Sequence, residues 1–171
     1  MFVKKTHLLS LIALLSSFTF SGPASAQGEL SERGALRLQQ RFVQIAKEAS
    51  PKTVCVIGVA GSGTGAVISA DGLVVTNAHV AAASRYAVLL FSNGRKLLAQ
   101  RQGIDYGRDL AFLKLVKKPE GALPFFQLAE KNPEFGSWIG AIGYPGGPRS
   151  NAAPTFSIGV VRKGSGPGAV N

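Results

Sequence analysis

Few residues of this chain have the type and setting to do chemistry. His79, the only histidine beyond the first 26 residues, lies in Thr76-Asn77-Ala78-His79-Val80, and Asp109 opens the apolar run Leu110 to Val116. An imidazole titrates near neutral pH, so it can take a proton from an attacking hydroxyl and return it to a leaving amine. A carboxylate bonded to its other ring nitrogen fixes the tautomer and stabilises the imidazolium. Of the competing acids, Asp71 belongs to an Asp-Gly turn and Asp105 is expected in a loop.

A second candidate is the glycine stretch VCVIGVAGSGTGAVI, residues 54–68, where Gly61, Gly63 and Ala66 have the spacing G-x-G-x-x-A. A dinucleotide fingerprint needs a helix directly after its glycines, because the pyrophosphate sits on the free N–H groups of that helix. Residues 67–77, VISADGLVVTN, are instead β-branched and broken by Asp71-Gly72, and residues 72–104 hold no acid for a ribose. The glycines are therefore expected to open a hairpin, letting backbone pass close to a cleft. No nucleotide, other cofactor or metal is expected. Cys55, alone in a strand-like run, reads as a small buried hydrophobe. Ser165, in Gly164-Ser165-Gly166-Pro167, reads as a loop serine.

These residues need a frame. Leu38, Phe42, Ile45 and Ala49 recur at helical spacing, with Ser31 as N-cap and Pro51 past the end, so residues 31–49 are expected to form one amphipathic helix. From Val54 the texture changes to short apolar runs at 54–59, 65–69, 73–76, 87–91, 96–100 and 110–116, with hairpin signals at Asp71-Gly72 and Asn93-Gly94. Six such strands imply an antiparallel barrel or sandwich, with His79 closing a strand where a loop begins. Residues 117–134, rich in Lys, Glu and Pro, are expected to be a linker. Strands resume at 138–142 and 155–162, and two strands do not make an independent domain.

GSGTGAVISADGLVVTNAHV (61–80), DLAFLKL (109–115) and FGSWIGAIGYPGG (135–147) together resemble the trypsin-fold serine endopeptidases of the HtrA (DegP-like) group, over roughly Phe42 to Arg162. The resemblance implies an all-β fold of two antiparallel β-barrels with catalytic groups in the cleft between them. His79 would be the general base and Asp109 its orienter. It also implies export, cleavage of unfolded or damaged proteins, and possible homotrimers of the full-length protein. The family nucleophile lies in a Gly-(Asp or Asn)-Ser-Gly-Gly motif, which these 171 residues do not contain. The expected organisation is a signal peptide at 1–26, an N-terminal helix at 27–50, a complete first barrel at 51–116, the linker at 117–134 and the start of a second barrel at 135–171. On this reading the chain is the N-terminal part of a protease.

Composition sets the remaining bounds. Lys4 and Lys5, the apolar run Leu8 to Phe20 and Ala24-Ser25-Ala26 form an export signal, placing the protein in the periplasm or outside the cell. The apolar run is shorter than the roughly 20 residues a spanning helix needs, so no stable membrane anchor is expected. The net charge of +10 is spread along the chain rather than clustered, which argues against a nucleic-acid face. Two alternatives stay open: a non-catalytic relative that binds unfolded proteins, and a basic protein that binds the envelope surface.

Overall fold

The computed structural model describes residues 32–148 and 152–162. Residues 1–26, expected to be an export signal, Ser31, and Ser165 with its flanking glycines lie outside the described residues.

Helix α1, Glu32–Ala49, turns Phe42 and Ala49 inward. Pro51 ends it within a 3-10 turn, Ser50–Lys52, and the hydroxyl of Thr53 donates to the Ala49 carbonyl at 3.0 Å, satisfying a group that has no partner within the helix. Phe42 meets Trp138 edge to face, ring centroids 6.1 Å apart.

Six strands come next: β1 (Thr53–Ile57), β2 (Ser62–Val67), β3 (Leu73–Thr76), β4 (Tyr86–Phe91), β5 (Lys96–Asp105) and β6 (Leu110–Leu115). They close an antiparallel barrel in the order β1-β2-β3-β6-β5-β4. Closure leaves no open edge, and alternation sends Val54, Val56, Val67, Val74, Leu89 and Leu113 into one interior cluster. β1 is buried on its outer face as well, where Cys55 packs with Leu90 and Tyr144. Cys55 is thus a buried hydrophobe, and burial raises its thiol pKa further from reactivity.

The hairpin signals at Asp71-Gly72 and Asn93-Gly94 fall in the β2–β3 and β4–β5 turns, with both glycines at φ 83°. The stretch around Gly63 differs from expectation. The strand expected at 65–69 starts earlier: β2 begins at Ser62, and both Gly63 and Gly65 lie within it. Residue 65 faces the barrel interior, where a Cβ would sit 2.8 Å from Val56 and Val74 and 3.1 Å from Val54. A Cβ on Gly63 would sit 2.5 Å from Val80, so there the expected close approach is real. β5 also runs five residues further than its apolar pattern, through a bulge between Arg101 and Gly103 that resets the alternation and turns Ile104 onto the core.

Residues 117–134 contain no helix or strand, yet they are bound to the barrel rather than spanning freely. The Leu123 and Phe126 amides donate to Ala70 and Val67 carbonyls at 2.9 and 2.8 Å, and Leu123 enters the core. Strands β7 (Trp138–Gly143) and β8 (Thr155–Val160) form a separate two-stranded sheet. It meets the barrel where a Cβ on Gly143 would lie 2.6 Å from Thr64 Oγ1, and the Tyr144 amide donates to that hydroxyl at 2.9 Å. The fold is therefore all-β, with one closed six-stranded antiparallel barrel, a second sheet of two strands and a preceding amphipathic helix.

Gly65→Ala inserts a methyl among three close-packed valines and is expected to cost about 1–3 kcal/mol. Urea unfolding should show a lower midpoint at unchanged slope; an unchanged midpoint would mean that the interior has room to spare.

Candidate active site

The site is built where β3 and β6 pair. Their register sets Thr76 opposite Ala111, so the residues just after β3 run beside the one just before β6. The Thr76 hydroxyl, buried, donates to the Thr64 carbonyl at 2.7 Å and ties this end of β3 to β2. His79 was expected to close a strand; instead β3 stops at Thr76 and His79 lies in a one-turn helix, α2, Ala78–Ala81. Packing explains the turn. Ala78 and Ala81 are small enough to be buried at the barrel end, with Ala81 in the interior cluster and Val80 packed on it.

Asp109 joins the two segments. Its φ of 53° is the left-handed conformation, which Asp tolerates better than most residues and which clusters at functional sites. Its carboxylate accepts the His79 backbone N–H at 3.1 Å. The same carboxylate lies 2.9 Å (Oδ2) and 3.0 Å (Oδ1) from His79 Nδ1. The Asn77 amide donates to Oδ2 at 3.0 Å and to the Asp109 carbonyl at 3.3 Å. Asn77 occupies the N-cap position of α2 but makes no side-chain cap. Asp109 takes that role from across the sheet, since the N–H it accepts belongs to the second helical residue.

This geometry assigns the ring. Ionised, a carboxylate only accepts, so Nδ1 carries the hydrogen and Nε2 keeps its lone pair. The hydrogen bond from the His79 backbone N–H, followed by the ring and Asn77 contacts, holds the Asp109 carboxyl below the ordinary 3.8. The pair is open to solvent, with side-chain exposures of 72% for His79 and 46% for Asp109. In its neutral form this imidazole, with a fixed tautomer and an accessible Nε2 that has no hydrogen-bond partner among the described residues, is a proton acceptor held in position.

The other acids stand apart. Asp105 is not in a loop but ends β5, opposite Leu110, and accepts from the Arg108 guanidinium at 2.9 Å. Asp71 lies in its turn and pairs with Lys114. Among the described residues no group of three or more His, Cys, Asp or Glu side chains is placed to hold a metal ion. Asn77 escaped the sequence reading as a site residue, because an Asn before a helical turn looks like an ordinary cap.

The trypsin-like peptidase domain family matches residues 63–169, and the Peptidase S46 family matches residues 18–87. A putative serine protease HhoA of Synechocystis is 37% identical over 91 residues, 52% of this chain and 23% of that protein. A probable periplasmic serine endoprotease DegP-like of Rickettsia prowazekii is 35% identical over 100 residues, 58% of this chain and 18% of that protein. The human serine protease HTRA4 is 34% identical over 85 residues, 49% of this chain and 17% of that protein. The chain thus spans less than a quarter of the length of these relatives.

The depressed Asp109 pKa has a definite consequence for pH. The stability contributed by this carboxylate is fully present above pH 3.8 and is lost as pH falls through the lower, folded value. Carboxyl carbon NMR should place the Asp109 midpoint below 3.8. In Asn77→Ala it should move up but not all the way, since the His79 N–H remains. A midpoint at or above 3.8 in the unsubstituted chain would contradict the bonding described.

Proposed function

The chain belongs to the trypsin-like peptidase domain family, and we propose that it carries the histidine–aspartate half of a serine endopeptidase, with His79 as general base and Asp109 as its orienter. The observation that carries this reading is the 2.9 Å contact between His79 Nδ1 and Asp109 Oδ2, which leaves Nε2 as the acceptor. In the reaction Nε2 takes the proton of a serine hydroxyl as the oxygen attacks a peptide carbonyl, then gives it to the leaving amine. Asp109 stabilises the imidazolium in between and stays ionised. Its low pKa suits that task, since a carboxylate protonated at working pH would hold the wrong tautomer.

The nucleophile belongs to the same proposal. The 171 residues hold no Gly-(Asp or Asn)-Ser-Gly-Gly motif, and among the described residues no hydroxyl bonds Nε2. We assign the serine, the oxyanion donors and the selecting pocket to polypeptide beyond residue 171. Supporting this, β7 and β8 leave Trp138, Ile139, Ile158 and Val160 exposed, as expected of a sheet awaiting further strands. The substrate class proposed is unfolded or damaged protein met after export. Support comes from the signal-like residues 1–26 and from relatives whose names place them in the periplasm. No helix among the described residues is long and apolar enough to cross a membrane.

Two measurements test the reading. The 171-residue chain should take up no stoichiometric label from a serine-directed fluorophosphonate; labelling, at Ser165 for example, would show that it holds its own nucleophile. The nucleotides after codon 171 should encode a glycine-flanked serine in one of three frames. In the extended product Asp109→Asn should lower kcat by about 10⁴-fold, and His79→Ala by about 10⁶-fold. Full activity in either variant would sink the proposed roles.

A further inference from the structure

α2 is too short to hold itself. A single turn fixes several dihedrals for one or two hydrogen bonds, so a four-residue helix persists only if its surroundings hold both ends. Asp109 holds the first end. The last carbonyls of any helix lack partners inside it, and here they have an unusual one.

Arg101 stands on the inward face of β5, in step with Leu97 and Ala99, both of which pack against the barrel interior. A cation at such a position is unfavourable unless its hydrogens are satisfied. Its Nη1 donates to the Ala81 carbonyl at 2.7 Å and the Ala82 carbonyl at 2.8 Å, with a longer, shared contact to Ser84 at 3.3 Å. Those carbonyls lie on the last residue of α2, its C-cap and the turn beyond. The Arg101 backbone N–H also donates to the Arg85 carbonyl at 2.8 Å, so one residue grips the 81–85 segment by side chain and main chain together. The β5 bulge comes directly after: Arg101 faces inward before it and Ile104 beyond it.

We infer that Arg101 is a positioning residue for His79: its guanidinium clamps the C-terminal carbonyls of α2 while Asp109 holds the N-terminal N–H, fixing the turn that carries the imidazole at both ends. This inference rests on the reading of His79 as the general base. Released at Ala81 and Ala82, α2 would fray, the His79 N–H and ring would leave Asp109 together, and the neutral imidazole would lose its preference for the Nδ1–H tautomer. A methionine at 101 would fill the space without donating. A lysine would donate with a different reach and without the planar fork, and so should restore the state only in part.

The test is the imidazole ¹⁵N spectrum of the full 171-residue chain at a pH where His79 is neutral, with the His7 signals assigned through His7→Gln. The unsubstituted chain should show His79 with Nδ1 protonated and Nε2 bare. Arg101→Met should bring the two nitrogen shifts together as the tautomers mix, and Arg101→Lys should recover part of the separation. A role in fold stability alone would lower the melting temperature and leave the tautomer in place, and that result in a folded Arg101→Met overturns the inference. Should Arg101→Met fail to fold, the Arg101 Nη1 protons of the unsubstituted chain decide. Separate signals from slowed rotation support the clamp, and one averaged signal overturns it. The two readings fail differently. A His79 lacking the Nδ1–H form in the unsubstituted chain would defeat the general-base assignment itself, whereas a correct tautomer indifferent to residue 101 defeats only the clamp.

Discussion

The carboxylate of Asp109 is the point on which the site depends. It receives the backbone N–H of His79, the ring Nδ1 of His79 and the amide of Asn77. Each donor would be worth little at an exposed surface, but the three constrain one another. The backbone bond places the residue, the ring bond sets its rotamer and tautomer, and the Asn77 bond keeps the carboxylate turned toward both. The helix cap and the ring partner are thus one group, so the same carboxylate that holds α2 also orients the imidazole it carries.

That convergence is a property of the barrel. Thr76 opposite Ala111 is the register that brings residues 77–79 beside Asp109. A slip by one residue would turn the side chains of a strand to the other face and bury what is now exposed. The register is secured by the interior, where Val67, Val74 and Leu113 must all point inward. Small residues then admit the neighbouring elements: Gly63 lies under Val80 of α2, and Gly143 against Thr64 of β2. Within the nucleotide-like spacing at 61–66, Gly63 thus serves packing, with the backbone of β2 lying close to the turn that carries His79.

Much of this was legible along the chain. α1, the six barrel strands, β7 and β8 each announce themselves by periodicity, and the two Asx-Gly turns by the positive φ they require. The departures have physical causes. β5 extends past Gln100 because a bulge breaks the period-two pattern on which a strand is recognised. Residues 117–134 have no period, yet Leu123 joins the core cluster that only the closed barrel assembles. α2 is a single turn, shorter than any periodic signal, and its conformation comes from burying Ala78 and Ala81.

The chemistry divides in the same way. Residue types and order along TNAHV and DLAFLKL were enough to single out His79 and Asp109, because few side chains titrate near neutrality or accept from an imidazole. Those strings, with the glycine hairpin, also carried the family. The tertiary structure alone decided that Asp109 caps α2 from across the sheet, that Asn77 gives up its ordinary cap to bind that carboxylate, and that Arg101 meets the carbonyls of Ala81 and Ala82. Hydrogen bonds between residues twenty or more apart in sequence leave no local pattern. Their partners are chosen by strand register and barrel closure, and only the folded chain contains both.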